Sequence, residues 1–187
     1  MSGERADPAA ARPRRVIVTG APGAGKTTLL DALQARGFHV VPDTARAIIR
    51  DRLSRGLPPR PAPAEFAREI LRIDIERYRN APAGAATLFF ERGIPDALGM
   101  LRELGVHGPA ETERHLADFP YHRRVFVPPP WEAIYRTDEE RDQTFPEALR
   151  VHDTICGWYA RCGYEIVEIP RASVDERCAF VLRTLSE

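Results

Sequence analysis

Lysine is almost missing from this chain. Of the 27 lysine and arginine residues, only Lys26 is a lysine, and every other basic side chain is arginine. This argues against a guanine-specific GTPase, because the N-K-x-D motif that reads guanine needs a lysine of its own. It also singles out Lys26, since a compact ammonium on a flexible stem differs chemically from the planar guanidinium used everywhere else.

Cysteine is scarce as well. The three cysteines stand at positions 156, 162 and 178, and their spacing fits neither a zinc site nor a redox C-x-x-C motif. We expect free thiols in a reducing compartment, and we therefore predict a cytoplasmic protein.

The chain has no excess of charge and no long apolar run. The 27 acidic residues balance the 27 basic ones, so the sequence has no excess of positive charge that would attract nucleic acid or an anionic membrane. No apolar stretch approaches the roughly 18 residues that span a bilayer. Residues 1–14 lack the apolar segment of a signal peptide and are predicted to form a disordered tail. We predict one domain over residues 15–187, a monomer or homodimer without nucleic-acid or membrane partners.

A glycine-rich stretch separates the apolar run VIVT from the helix-forming TLLDALQARG. Its eight residues, GAPGAGKT, match the phosphate-binding pattern G-x-x-x-x-G-K-[ST] in full. Glycines 20, 23 and 25 allow backbone conformations that are closed to other residues, so successive N–H groups can face an anion. The helix that begins near Gly25 adds its positive end.

This motif predicts bound ATP and Mg²⁺ as cofactors. Lys26 is expected to reach the β- and γ-phosphates and to act in catalysis, and the Thr27 hydroxyl is expected to ligate Mg²⁺. The predicted nucleotide-binding residues are Gly20, Ala21, Pro22, Gly23, Ala24, Gly25, Lys26, Thr27 and Thr28.

Apolar runs and amphipathic stretches alternate along the rest of the chain. The predicted strands cover 15–20, 38–41, 86–90, 124–128 and 164–169, and the predicted helices cover 26–35, 44–55, 64–78, 96–104, 110–117, 145–161 and 174–185. This alternation predicts an α/β fold, a parallel sheet with helices on both faces and a ligand at the carboxyl edge of the strands.

Acidic residues follow two of these predicted strands. Glu91 is placed to hold Mg²⁺, and Asp43 is placed to accept the proton of an attacking hydroxyl. Two plainer interpretations stay open: Glu91 as a surface acid, and Asp43 as the N-cap of the following helix. Arg46 and Arg92, together with Asp43, are the predicted substrate-binding residues.

A lid is predicted at about residues 131–145. It carries Arg136 and Arg141, which we name as candidate catalytic residues because guanidinium groups on a closing lid neutralise a transferring phosphoryl group and exclude water. With arginine so frequent, either side chain could instead belong to the ordinary surface.

Three segments carry a resemblance that covers residues 15–185. They are GAPGAGKTTLLDALQARGFHVVPDTARAII, FFERGIPDALGM and VFVPPPWEAIYRTDEERDQTFPEALRVHDTICGWYARCGYEIVEIP. The chain resembles the small predicted-ATPase (AAA-domain) family that includes the ribosylnicotinamide kinase part of NadR-type proteins. The resemblance implies a P-loop fold of strand order 2-3-1-4-5 related to nucleoside and nucleotide kinases. It also implies ATP with Mg²⁺ at Lys26 and Thr27, an arginine-bearing lid, and an acid near the acceptor, where Asp43 replaces the usual glutamate.

Three functions compete at this point. The leading hypothesis is a kinase that moves the γ-phosphate of ATP to a hydroxyl of a small, possibly nucleoside-like acceptor. The alternative is an ATP-binding regulatory switch without an acceptor. A motor ATPase is the third, and it is disfavoured because TLFFE supplies one acid where such motors typically use a pair.

Overall fold

The computed structural model describes residues 13–82, 84–134 and 144–187. Its strands are β1 (Arg14–Val18), β2 (His39–Val41), β3 (Thr87–Glu91), β4 (Arg124–Val127) and β5 (Glu165–Glu168). Its α-helices are α1 (Lys26–Ala35), α2 (Thr44–Ser54), α3 (Pro63–Asn80), α4 (Ile94–Glu103), α5 (Pro109–Asp118), α6 (Phe145–Arg161) and α7 (Val174–Ser186), and a short 3₁₀ turn covers Glu132–Ile134.

All five strands form one parallel sheet in the order β2-β3-β1-β4-β5. The predicted fold class and strand order are therefore confirmed. In the register, Val18 pairs with Glu91 of β3 and with Phe126 of β4. Because β3 lies between β2 and β1, the carboxyl ends of these three strands are neighbours. The residues that follow the three strands therefore lie close together.

The central strands are buried on both faces. Successive residues of β1 point to opposite sides, as they must in a strand: Val16 packs in a cluster with Leu29 and Leu33 of α1 and Val181 of α7, whereas Ile17 packs in a cluster on the other face. Helices cover both faces of the sheet, so the strands read as continuous apolar runs.

Most element boundaries differ by one or two residues from those predicted, and the starts of α4 and β1 are two examples. Helix α4 begins at Ile94 rather than at residue 96, because Pro95 is already pre-set for the first helical turn and the Asp96 carboxylate accepts a hydrogen bond from the Gly93 N–H at 3.0 Å. Strand β1 begins at Arg14, the last residue of the predicted tail. No helix in the described part of the chain is long and apolar enough to cross a membrane.

Candidate phosphate-binding site

The loop between β1 and α1 depends on its three glycines. Gly20, Gly23 and Gly25 have φ angles of 132°, 76° and 80°, in the left-handed region that strains any residue with a Cβ. Gly25 is also the N-cap of α1, so the free N–H groups of the helix begin at this glycine. The loop thus has the backbone geometry that the motif predicts for an anion-binding turn.

The Lys26 side chain is held inside this loop. It is 5% exposed, and its Nζ donates hydrogen bonds to the carbonyl oxygens of Gly20 at 2.9 Å and Ala21 at 2.8 Å. Burial, together with the nearby Arg92 guanidinium, lowers the pKa of the Lys26 ammonium from 10.5 to about 7. The neighbouring carboxylates counter this effect only in part.

Thr27 and Glu91 are brought together at the carboxyl end of β3. The Thr27 hydroxyl donates to Glu91 Oε1 at 2.9 Å, and Arg46 Nη1 donates to the same hydroxyl oxygen at 3.2 Å. Glu91 is buried as the last residue of β3, which argues against the plain surface acid. A carboxylate and a hydroxyl at this separation are the hard oxygen donors that Mg²⁺ accepts, so the residues present fit the predicted metal.

The Asp43 side chain accepts two hydrogen bonds from the part of the chain that the structure describes. Its carboxylate accepts from the backbone N–H of Arg46 at 3.3 Å, which caps α2, and from Arg92 Nε at 3.3 Å. The capping geometry that the sequence left open is therefore present. It does not exclude a role in chemistry, because a carboxylate has further acceptor positions.

Arg92 has a strained backbone. Its φ is 64°, the only positive value at a non-glycine among the described residues, and such conformations cost about 1–3 kcal/mol. The guanidinium is held by Asp43, by Asp96 Oδ1 at 3.3 Å and by the Gly20 carbonyl at 3.0 Å. Burial acts to lower its pKa, but the carboxylates of Asp43, Asp96 and Glu91 prevail and raise it above its ordinary value. Arg92 thus ties the ends of β1, β2 and β3 together.

Asp96 is a site residue that was not predicted from the sequence. Its carboxylate accepts hydrogen bonds from the Thr19 hydroxyl at 2.6 Å and the Tyr159 hydroxyl at 2.5 Å, besides those from Arg92 and from the Gly93 N–H. The local sequence GIPD could have indicated an acid in the first turn of α4, but nothing local points to Tyr159 on α6.

A second missed acid, Asp74, lies on α3. It is 9% exposed and accepts a short hydrogen bond from the Thr44 hydroxyl, which in turn accepts from Arg77 Nη1 at 2.8 Å. Burial raises the pKa of Asp74 from 3.8 to about 7, although the bond from Thr44 opposes this. Burying an ionised carboxylate on a largely apolar helix face costs free energy, so the neutral form of the Asp74 side chain is favoured.

These residues line one cavity of about 490 Å³. Lys26, Thr27, Thr28, Asp43, Arg46, Glu91 and Arg92 contribute to its wall, as do Asp74, Asp96 and the apolar side chains Ile49, Phe66, Ile70, Met100 and Trp158. The cavity therefore joins the glycine loop to an apolar, partly aromatic chamber. Arg136 and Arg141 lie outside the described residues, so the predicted catalytic lid stays a prediction.

The sheet order and the glycine loop together define the fold of the P-loop kinases and ATPases. A family model described as an AAA domain matches residues 15–177, and the chain belongs to that family. The resemblance seen in the sequence is thereby confirmed.

Individual similar proteins agree with this assignment. A nucleotide-binding protein of Granulibacter bethesdensis is 33% identical over 90 residues, which are 46% of this chain and 28% of that protein, so the match spans less than a third of the relative's length. Among solved structures, a thymidylate kinase from Candida albicans superposes with a TM-score of 0.63 at 11% identity, covering 94% of this chain and 92% of the other.

Two more structures share the fold. A deoxyadenosine kinase from M. mycoides with bound dATP has a TM-score of 0.53 at 10% identity, covering 93% of this chain and all of the other. A NadR protein in complex with NR has a TM-score of 0.63 at 14% identity, covering 94% of this chain and 51% of the other. At these identities the likeness concerns the fold.

Proposed function

We propose that this protein is a kinase that transfers the γ-phosphoryl group of ATP, with Mg²⁺, to a hydroxyl of a small nucleoside-like acceptor. One observation carries the proposal: the cavity that contains the phosphate-site residues continues into an apolar chamber with Phe66 and Trp158 in its wall and Asp74 as a buried polar group. A concave, largely apolar site with a few placed polar groups is typical of small-molecule binding.

The glycine loop and Lys26 would hold the triphosphate. Lys26 is already buried in the loop, so its ammonium can exchange two carbonyl oxygens for phosphate oxygens by a small movement. Thr27 and Glu91 would hold the metal, directly or through water. Bound Mg²⁺ supplies charge neutralisation at the β- and γ-phosphate oxygens. Among the described residues no group of three or more His, Cys, Asp or Glu forms a metal site. Phosphate oxygens and water would complete the coordination of Mg²⁺, which usually keeps several waters.

Asp43 would orient the acceptor hydroxyl and accept its proton. It follows β2, the strand beside Glu91, and lines the same cavity. Phosphoryl transfer needs positioning and charge stabilisation more than a strong base, so a carboxylate that is partly engaged with Arg92 remains competent. Arg46, whose guanidinium contacts Thr27, would bind substrate phosphate from the same end of α2.

The structural relatives support a nucleoside-like acceptor. Thymidylate kinase, deoxyadenosine kinase with bound dATP, and NadR with NR all share this fold over more than nine-tenths of the chain. Their ligands do not transfer to this protein at such low identity. These ligands indicate which compounds should be tested first as acceptors.

A phosphorylation screen tests the proposal. Purified protein is mixed with ATP, Mg²⁺ and a panel of nucleosides, nucleotides and ribosides, and products are read by mass. We expect one acceptor class to gain about 80 Da, the mass of a phosphoryl group, and Lys26→Ala to lose about 100- to 1000-fold in rate. Arg55→Ala, which removes an exposed cation from the end of α2, is the matched control and should keep full activity.

Two outcomes would count against the kinase. If ATP binds but no acceptor on the panel is modified, the regulatory switch becomes the better explanation. If Lys26→Ala keeps activity within about threefold of the unmodified protein, the observed transfer does not occur at this loop.

A further inference from the structure

Arg177, on the first turn of α7, has a buried guanidinium that lacks a partner in the described part of the chain. The residue is 5% exposed. Its Nε is buried and unbonded. The backbone N–H of Arg177 is satisfied by the Ser173 carbonyl, so the anomaly concerns the side chain alone.

An unpaired buried cation is expensive to maintain. Burial lowers the pKa of Arg177 below its ordinary value, and no carboxylate among the described residues opposes this. Arg92 provides the contrast within the same protein, since its partly buried guanidinium is paired with both Asp43 and Asp96. Charged groups that stay buried are generally paired or bound to a ligand. Because the described residues offer Arg177 no carboxylate, a bound ligand is the remaining source of a counter-charge.

The Arg177 guanidinium lies against the phosphate-binding loop. A Cβ placed on Gly25 would stand 2.9 Å from Arg177 Nη1 and 3.3 Å from Ile134 Cδ1. Gly25 is the N-cap of α1, a ten-residue helix whose first N–H groups and positive end attract anions. The guanidinium and the helix start therefore present positive charge to the same small volume.

We propose that Arg177 is a binding residue for the phosphate chain of the donor nucleotide. This rests on the proposed function. Arg177 is assigned to the donor because its guanidinium adjoins Gly25 of the phosphate-binding loop, whereas the side chains Phe66, Asp74 and Trp158 of the acceptor chamber lie elsewhere in the cavity wall. The bound nucleotide supplies the missing counter-charge, and guanidinium–phosphate pairing is strong and directional. Glycine at position 25 is then required for two reasons: its φ is positive, and a side chain there would occupy the space of the Arg177 guanidinium.

Binding measurements with three ligands test the inference. ATP, ADP and adenosine are titrated calorimetrically into the unmodified protein, Arg177→Met and the control Arg183→Met, which removes an exposed arginine from the same helix. We expect Arg177→Met to bind ATP and ADP about 10- to 100-fold more weakly, as for loss of a charged hydrogen-bond partner. Adenosine affinity and all affinities of Arg183→Met should stay unchanged.

Thermal unfolding without ligand separates binding from a structural role. Because Arg177→Met removes an unpaired buried charge, the melting temperature of the free protein should not fall, whereas its increase on adding ATP should shrink. If Arg177→Met does not fold, Arg177→Gln is used for the same comparisons.

The possible results are distinguishable. If the unmodified protein binds ATP and the Arg177 variant binds it equally well, the inference is wrong and the proposed function stands. Equal weakening of ATP and adenosine would also overturn it, because the contact would then be to the nucleoside. If the unmodified protein binds none of the three ligands, the proposed function itself is wrong, and the inference falls with it.

Discussion

Replacing Asp74 with asparagine tests the buried carboxyl of the cavity. The side chain is 9% exposed, accepts a hydrogen bond from the Thr44 hydroxyl, and lies within electrostatic range of Asp96, Arg77 and Asp43. Asparagine has nearly the same shape and its amide oxygen can accept the same bond. The substitution therefore removes the ionisation of residue 74 with little change in packing.

The expected stability change follows from the pKa. Burial raises the pKa of Asp74 in the folded protein from 3.8 to about 7. Between these values the unfolded chain has released the proton and the folded chain retains it, so the free energy of unfolding falls as pH rises. One pKa unit corresponds to about 1.4 kcal/mol, which gives a total loss of at most about 4 kcal/mol by pH 8. The amide introduced by Asp74→Asn cannot ionise, so the variant escapes this loss.

Urea unfolding at several pH values from 4 to 8 measures the difference. Asp74→Asn should match the unmodified protein near pH 4 and become progressively more stable relative to it toward pH 8. Asp51→Asn, at an exposed acid of α2, is the control and should keep a constant difference from the unmodified protein. If the Asp74→Asn and unmodified curves run parallel across this range, Asp74 is ionised in the folded protein and the reasoning from burial is wrong.

Three further substitutions test the site. Asp43→Asn should lower the transfer rate about 100-fold or more while α2 keeps its cap, measured by steady-state kinetics and circular dichroism. Glu91→Gln should raise the Mg²⁺ concentration for half-maximal activity about 10-fold or more, because it removes the negative charge of the carboxylate that would bind the metal beside the Thr27 hydroxyl. Gly99→Ala should destabilise the protein by about 1–3 kcal/mol, because the new Cβ would stand 3.0 Å from Trp158 Nε1, measured by thermal unfolding.

Glu91→Gln and Gly99→Ala each have a matched control. Glu76→Gln, on an exposed part of α3, should leave the Mg²⁺ dependence unchanged. Gly84→Ala adds a Cβ that meets nothing within 4 Å and should leave the melting temperature unchanged. An unaltered Mg²⁺ requirement in Glu91→Gln would remove Glu91 from the metal site, and an unaltered melting temperature in Gly99→Ala would show that the indole moves freely.

The fold was predictable because its signals are local. Each strand contains a short apolar run and the helices have an amphipathic period, and these signals predict the parallel sheet with helices on both faces. The strand order 2-3-1-4-5 was predicted only from the resemblance to a known family. The boundary of α4 was missed for a local reason too: Pro95 and Asp96 share the first turn, and the helix begins before the acid rather than at it.

The candidate site was predictable only at the strand ends. Asp43, Glu91 and the loop could be placed together because parallel strands bring their carboxyl ends to one edge. Asp74 and Arg177 lie within helices, and their sequence neighbours give no sign of unusual burial. Asp96 depends on Tyr159, 63 positions away on α6. Such contacts arise from helix packing, which hydrophobic periodicity does not specify.

Arg92 changes how Asp43 has to be tested. Asparagine at position 43 keeps a cap on α2, so from the sequence alone an unchanged melting temperature would separate catalysis from capping. In the structure the same carboxylate also pairs with the partly buried Arg92, which retains Asp96 as a partner when the charge at 43 is removed. A stability loss in Asp43→Asn would therefore report the ion pair, whatever Asp43 does in catalysis. A double variant that combines Asp43→Asn with Arg92→Gln separates the two contributions. The coupling between the two substitutions in the free energy of unfolding measures the strength of the ion pair. A rate loss from Asp43→Asn that persists in the Arg92→Gln background measures the role of Asp43 in the chemistry.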